Sequence, residues 1–322
     1  MIAPSSSLEH ELESHRALLS RIRAGVARVV VGKPEAIELL LTAILAGGHV
    51  LLEDVPGVGK TTLAKAIARV FDVEFSRVQF TPDLLPADIV GSPVLDPRTG
   101  TFTFHRGPVF THVLLADEIN RASPRTQSAL LEAMSEAQVT VDGTTYPLAP
   151  PFFVVATQNP HEFSGTYPLP EAQLDRFLLR VSLGYPAESA ELDMLHARRN
   201  EDPLDRLQPV ASHAELVAMQ AAVRDVEMTP AVGRYLLGVV TGTRGHADVM
   251  LGASPRATLA LFRAARARAY LAGRSYVSPD DVRALAEPVL GHRVALTPEA
   301  RYGGGGSGRV LGDILRGLRV PT

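Results

Sequence analysis

The chain has no cysteine and no tryptophan, and only three of its 32 basic residues are lysine: Lys33, Lys60 and Lys65. Without cysteine there is no disulfide and no thiolate-ligated zinc, an absence that fits a reducing cytoplasm. An excess of one charge is missing too. The 32 basic residues against 35 acidic ones give a net charge of −3, so no global basic field announces nonspecific nucleic-acid binding. The longest apolar run, near Leu39 to Leu52, is broken by Thr42, Gly47, Gly48 and His49 and cannot span a bilayer. The N-terminus, M-I-A-P-S-S-S-L-E-H, lacks the basic-then-apolar order of a signal peptide. What is present is globular: 322 residues, 46% of them hydrophobic, allow a sizeable core and suggest two domains.

The most informative stretch is V-L-L-E-D-V-P-G-V-G-K-T-T from Val50 to Thr62, which reads as buried strand, glycine-rich turn and helix start. Gly57 and Gly59 let the backbone approach an anion, and the amides opening the next helix point at it with the positive end of the helix dipole behind them. Lys60 would reach the β- and γ-phosphates of a nucleotide, and the Thr61 hydroxyl would ligate Mg²⁺. The strict pattern G-x-x-x-x-G-K-[ST] has glycine where this chain has Asp54, so the match is partial. An ordinary Gly-rich turn is the competing reading. The apolar run before the turn and the helical run Leu63 to Phe71 after it favour the phosphate cradle.

Residues 8 to 46 predict two helices broken at Gly32-Lys33-Pro34, with proline in the first turn of the second. Between 50 and 184, apolar runs at Val50–Glu53, Val73–Gln79, His112–Asp117, Phe152–Thr157 and Phe177–Leu183 alternate with helical stretches, the signature of a parallel sheet flanked by helices. After Tyr185-Pro186 the strands stop, and helices are expected at about 187–199, 212–223, 230–242, 256–272, 279–290 and 309–318. Gly303 to Gly308 reads as a flexible spacer before the last helix. Two β-hairpins are expected, at 94–104 around P-R-T-G and at 138–148 around D-G; for an isolated hairpin a plain surface loop would be the better reading.

Val113 to Glu118, V-L-L-A-D-E, puts two carboxylates at the end of an apolar strand. Asp117 would hold Mg²⁺, mostly through water, while Glu118 would orient and deprotonate the water attacking the γ-phosphate. An exposed acidic pair at a strand end is common by itself; a phosphate cradle earlier in the same domain changes its meaning. A third strand ends in Thr157-Gln158-Asn159-Pro160, where Asn159 can bond the attacking water or the γ-phosphate.

These residues resemble the MoxR family of AAA+ ATPases. The carrying motifs are L-L-E-D-V-P-G-V-G-K-T at 51–61, Q-F-T-P-D-L-L-P-A-D-I-V-G at 79–91, G-P-V-F at 107–110, A-D-E-I-N-R-A at 116–122, A-T-Q-N-P at 156–160, G-T-Y-P-L-P-E-A-Q-L-D-R-F at 165–177 and S-P-R at 254–256. The resemblance spans about residues 15 to 320. It implies an α/β AAA+ P-loop core at 15–185 after a disordered tail at 1–14, two β-hairpin inserts, and a C-terminal α-helical lid domain at 186–322. The hairpins would contact a substrate or partner. Nucleotide binding is implied for Val31, Gly32, Val55, Pro56, Gly57, Val58, Gly59, Lys60, Thr61 and Thr62, with Mg²⁺ at Thr61 and Asp117.

Catalytic roles are implied for Glu118, for Asn159 at sensor 1, for Arg176 in L-D-R-F as an arginine finger reaching the neighbouring subunit, and for Arg256 at sensor 2. Either arginine alone would pass for a surface residue in a chain with so many, and the stripe Arg263, Arg266, Arg274 reads as a solvated face. Also implied are a cytoplasmic, homo-oligomeric ring, hexameric in form, that hydrolyses ATP to remodel or activate protein clients, and a von Willebrand factor A domain partner. Three rivals stand beside this reading. A nucleic-acid motor is disfavoured by the hairpin turns, since D-P-R-T-G at 96–100 has one arginine beside an aspartate and V-D-G-T-T at 141–145 has no basic or stacking aromatic residue, whereas strand tracking needs both. A small-molecule kinase leaves Arg176, Asn159 and the helical half unexplained, and a scaffold that barely hydrolyses remains open.

Overall fold

The computed structural model describes residues 6–160, 165–197 and 201–321. Helix α1 (Ser6–Val29) and helix α2 (Pro34–Leu45) come first, and Pro34 sits in the first turn of α2 where its missing N–H is harmless. The tail expected at 1–14 is thus helical from Ser6 onward; residues 1–5 lie outside the described set. Strand β1 (Val50–Glu53) runs into α3 (Lys60–Val70), followed by β2 (Phe75–Gln79) and the single turn α4 (Pro86–Val90). A hairpin of β3 (Gly91–Asp96) and β4 (Thr101–Arg106) precedes β5 (Val113–Asp117) and α5 (Pro124–Glu136). A second hairpin, β6 (Gln138–Val141) with β7 (Thr144–Pro147), precedes β8 (Phe153–Gln158), then α6 (Glu171–Leu174) and β9 (Leu179–Val181).

The helical half comprises α7 (Glu188–Ala197), α8 (Pro203–Arg206), α9 (His213–Val223), α10 (Pro230–Gly245), α11 (Pro255–Leu271), α12 (Pro279–Leu290), α13 (Pro298–Tyr302) and α14 (Ser307–Gly317). Strands do not stop at Tyr185: β10 (Val249–Leu251) and β11 (Ala295–Leu296) pair antiparallel inside this half. The glycine run is shorter as a spacer than expected, because α14 already includes Ser307 and Gly308. Its first residues close α13 instead, with the Gly303 and Gly305 amides donating to Glu299 and Ala300 carbonyls, a helix C-cap of the kind glycine favours.

The five-stranded sheet has the order β2-β5-β8-β1-β9 with every neighbouring pair parallel. All five residues of β5 are buried, as a strand covered on both faces requires. Alternate side chains enter two cores. Val50, Leu52, Val113, Leu115, Phe153 and Val155 join the helices α1 to α3 and the helical half in one, while Leu51, Leu114, Ala116, Val154 and Ala156 join α5 and the hairpin bases in the other. The helices after 186 therefore do not fold around a core of their own. Tyr270 of α11, fully buried, reaches His15 of α1 with its hydroxyl.

The hairpins are cinched and joined. A Cβ on Gly91 would lie 2.2 Å from the His105 carbonyl oxygen and 2.6 Å from the Gly107 nitrogen, which is the physical reason for both glycines in their motifs. The D-G turn takes positive φ at Asp142 and Gly143, the geometry of a two-residue hairpin loop. Phe104 of β4 stacks on Tyr146 of β7 with ring centroids 4.1 Å apart and planes at 16°, so the two hairpins form one projection.

His49, just before β1, fastens three elements. The Val154 amide donates to its Nδ1 at 3.1 Å, so the ring proton is on Nε2, which donates to the Met134 carbonyl at 3.0 Å. Burial lowers its pKa to about 4, and His292 is pushed well below its ordinary value by the same cause. Because the unfolded chain takes up these protons near pH 6.5 and the folded chain does not, stability is full above that pH and falls as the pH drops toward 4. The expected loss for His49 alone is about 3 kcal/mol. Urea unfolding at a series of pH values checks it: His49→Gln should remove about one proton's worth of this slope, and an unchanged slope would show that His49 does not titrate there.

Candidate active site

Register brings the functional strand ends together. Glu53 lies opposite Gln158 and Gln79 opposite Asp117, so β1, β8, β5 and β2 all finish on one edge of the sheet, the crevice where open parallel sheets bind ligands. At the end of β1 the chain turns through Gly57 (φ 86°) and Gly59 (φ 97°). Nothing lies within 4 Å of a Cβ built on either, so the glycines serve a left-handed backbone around open space. The N-terminus of α3, an eleven-residue helix, faces that space.

Two chambers meet over this turn. One, of about 610 Å³, is mainly apolar and is lined by Val29, Val30, Val31, Val58, Tyr185, Pro186, Met194 and Leu195, with Lys33, Thr62 and Glu191. The other, of about 350 Å³, is polar and is lined by Lys60, Thr61, Arg77, Asp117, Glu118 and Asn159. Pro56, Gly57, Gly59 and Thr62 border both. An apolar room opening onto a positively polarised turn and a group of hard oxygen donors suits a base, a string of phosphates and a magnesium ion in that order.

Lys60 donates to the backbone oxygen of Asp54 at 2.7 Å. Burial lowers its pKa, while Asp54, Asp117 and Glu118 oppose the shift. The Asp117 carboxylate accepts from Thr157 Oγ1 at 2.6 Å on one oxygen and from Arg77 Nη2 at 2.6 Å on the other. Thr157 Oγ1 in turn accepts the Glu118 amide at 2.9 Å. Glu118 has φ 58°, a left-handed conformation that costs a non-glycine residue energy and that turns its carboxylate out of the strand direction. That carboxylate accepts from Gln79 Nε2 at 2.7 Å and lies 3.3 Å from Arg121 Nε.

The comparisons with known proteins agree with this geometry. A family model described as "ATPase family associated with various cellular activities (AAA)" matches residues 49–179, and one described as an AAA lid domain matches 241–308. Chaperone MoxR1 of Mycobacterium tuberculosis is 43% identical over 88% of this chain and 77% of its own length. Protein MoxR of Methylorubrum extorquens is 35% identical over 89% of this chain and 90% of its own. The chain belongs to the MoxR family of AAA+ ATPases. A crystal structure from Cytophaga hutchinsonii superposes with a TM-score of 0.90 at 38% identity and 98% coverage of both chains, which fixes the AAA+ fold with its lid.

Within this MoxR-family chain, Val31, Pro56, Gly57, Val58, Gly59, Lys60, Thr61, Thr62, Asp117, Glu118 and Asn159 all border the paired chambers. Val55 and Gly32 do not. The Val55 amide donates to Asp54 Oδ1, and Gly32 (φ 74°) lets the 29–33 turn pack against α7, where its Cβ would meet that of Ala190 at 2.6 Å. Arg176 and Arg256 stand outside both chambers. Arg176 folds onto α5, donating to the Leu131 carbonyl and, at 2.8 Å, to Ser135 Oγ, and Arg256 is exposed near the start of α11. Their loops are joined: Asp175 accepts from Ser254 Oγ at 3.1 Å and from the buried Arg293 Nε at 2.6 Å.

Sequence reasoning missed Arg77, Gln79 and Thr157. The alternation in F-S-R-V-Q puts Arg77 and Gln79 on one face of β2, a signal that was present but reads as the solvent face of an edge strand. Thr157 is fully buried with both its bonds inside the site. Thr157→Val keeps the shape but leaves the Glu118 amide and one Asp117 oxygen without this partner, each costing about 1–3 kcal/mol. Denaturant unfolding should show a combined loss of about 2–6 kcal/mol that Thr157→Ser largely restores; equal stability of the valine and serine variants would show the hydroxyl to be unimportant.

Proposed function

We propose that this protein is a Mg²⁺-dependent ATP hydrolase that works as a ring, hexameric by resemblance, to remodel or activate protein clients. The observation that carries the reading is the division of the site. The apolar chamber suits adenosine and the polar chamber suits the triphosphate and its metal, while Arg176, expected to reach a neighbouring subunit's γ-phosphate, lies outside both. Names given to relatives, Chaperone MoxR1 among them, support a client-protein role. A partner with a von Willebrand factor A domain and a cytoplasmic location belong to the same proposal. Among the described residues no helix is long and apolar enough to cross a membrane.

Lys60 would leave its bond to the Asp54 carbonyl for the β- and γ-phosphate oxygens. Thr61 and Asp117 would hold the metal, whose chemistry is to neutralise charge growing on the phosphates. Glu118 would take the proton of the attacking water as its oxygen bonds to the γ-phosphorus and the bond to the β-phosphate oxygen breaks, with Asn159 bonding the water or the phosphate. For that, Glu118 has to exchange its present contacts with Gln79 and Arg121 for the water. An arginine from the next subunit, always charged, would meet the charge on the departing phosphoryl group.

Lys60→Ala should abolish tight ATP binding, read as the affinity for a fluorescent ATP analogue, because no other lysine lies in the loop; unchanged affinity removes the phosphate-loop assignment. Mixing tests the ring. Glu118→Gln should lower turnover by about 10²–10⁴ and Arg176→Ala by about 10³–10⁵. In mixed rings an Arg176→Ala subunit keeps Glu118 and a Glu118→Gln neighbour lends Arg176, so part of the activity should return. A mixture that exchanges subunits yet stays as inactive as its components shows that Arg176 acts within its own subunit or only structurally, and overturns the interface mechanism.

A further inference from the structure

Asp54 departs from the usual glycine of the phosphate loop, and its carboxylate does not face the phosphate chamber. Buried at 7% exposure, it turns away to the segment that leads from β9 into α7. There Oδ2 accepts the amides of Leu183 and Gly184, the latter at 2.7 Å, and the Ser182 hydroxyl at 3.1 Å. The opposite side of the same segment is held by Lys33. Its ammonium donates to the carbonyls of Leu183, Gly184 and Tyr185 at 2.5, 2.9 and 2.8 Å, which uses all three of its protons. Leu183 and Gly184 thus have their N–H groups on a carboxylate and their C=O groups on an ammonium, and charge-assisted bonds of this type are the stronger ones.

The clamped segment ends in Tyr185 and Pro186, which form one wall of the apolar chamber, and Lys33 follows the Val29–Val31 turn that forms another. We infer that Lys33 and Asp54 are positioning residues for the adenosine part of the nucleotide. They set the distance between the two chamber walls, and they do not act on the phosphates. The inference rests on reading this cleft as the ATP site. It also accounts for an acid within a phosphate-binding loop: one carboxylate oxygen is spent on two amides and a hydroxyl of the segment from β9 to α7 and the other on the Val55 amide, while the backbone carbonyl of the same residue holds Lys60.

Calorimetric affinities for ATP and for inorganic tripolyphosphate, both with magnesium, separate base positioning from phosphate binding. Lys33→Met and Asp54→Asn should each weaken ATP by roughly tenfold or more, the size expected for losing charged hydrogen bonds, while tripolyphosphate changes by less than about twofold, within the ordinary scatter of distant substitutions. Lys33→Arg, which retains donors for the carbonyls, should recover part of the ATP affinity. Thermal melting identifies any variant that does not fold, and if Asp54→Asn fails, the pair Lys33→Met and Lys33→Arg decides. ATP affinity unchanged in folded Lys33→Met, or equal losses for ATP and tripolyphosphate, overturns the clamp. Wild-type protein that binds tripolyphosphate but not ATP overturns the nucleotide reading itself, a result distinct from either.

Discussion

A parallel sheet buried on both faces has nowhere to place polar chemistry except at its ends, and the rest of this molecule follows from that constraint. Its central strands β1, β5 and β8 carry no charge in their interior, where an unpaired buried charge is prohibitively costly, and the mid-strand arginines, Arg77 and Arg180, sit on the edge strands β2 and β9. Register then decides which ends coincide. Because Glu53, Gln158, Asp117 and Gln79 finish within one residue of one another, the glycine turn, the paired acids and the polar end of β8 share one edge without any long loop to gather them. The helices cover the faces, and α3 brings its N-terminal amides to that edge.

The site so formed is over-determined by hydrogen bonds among its own members. Asp117 is held by Thr157 and Arg77, and Glu118 by Gln79, with its amide on Thr157. Such a network fixes carboxylate orientation before any ligand arrives, at the cost of contacts that must be exchanged when one does. The arginines of L-D-R-F and S-P-R belong to a different arrangement. Asp175, bonded to Ser254 and to the buried Arg293, joins the core turn carrying Arg176 to the lid helix carrying Arg256.

Much of this was legible in the sequence, and for specific reasons. Gly57 and Gly59 announce themselves because few residue types accept positive φ, and the Asp-Gly hairpin turn because few satisfy its geometry. The role of Asp54 was not legible. Its partners lie 128 to 130 residues away along the chain, and no local pattern encodes them. Arg77 and Gln79 were hidden by the ambiguity of an edge strand, whose polar face looks the same toward water as toward a site. Strands β10 and β11, three and two residues long, fall below any periodic window. The glycine run misled because composition says flexible where the backbone is closing a helix, and the first residues misled because helix-forming polar residues resemble a tail.

The stacked hairpins have a mechanical meaning. Strand β4 leads through residues 107–112 into β5, and β7 leads through 148–152 into β8, and these two strands are neighbours in the sheet. Since Phe104 and Tyr146 bind the hairpins into one projection, a load on its tip is divided between two adjacent strands rather than bending one. Each strand is a nearly inextensible rod; β5, five residues long, spans about 16 Å at the usual rise. At the far ends of those rods stand Asp117 and Asn159. The exposed Phe102 and the acidic edge thus lie toward opposite ends of two adjoining strands.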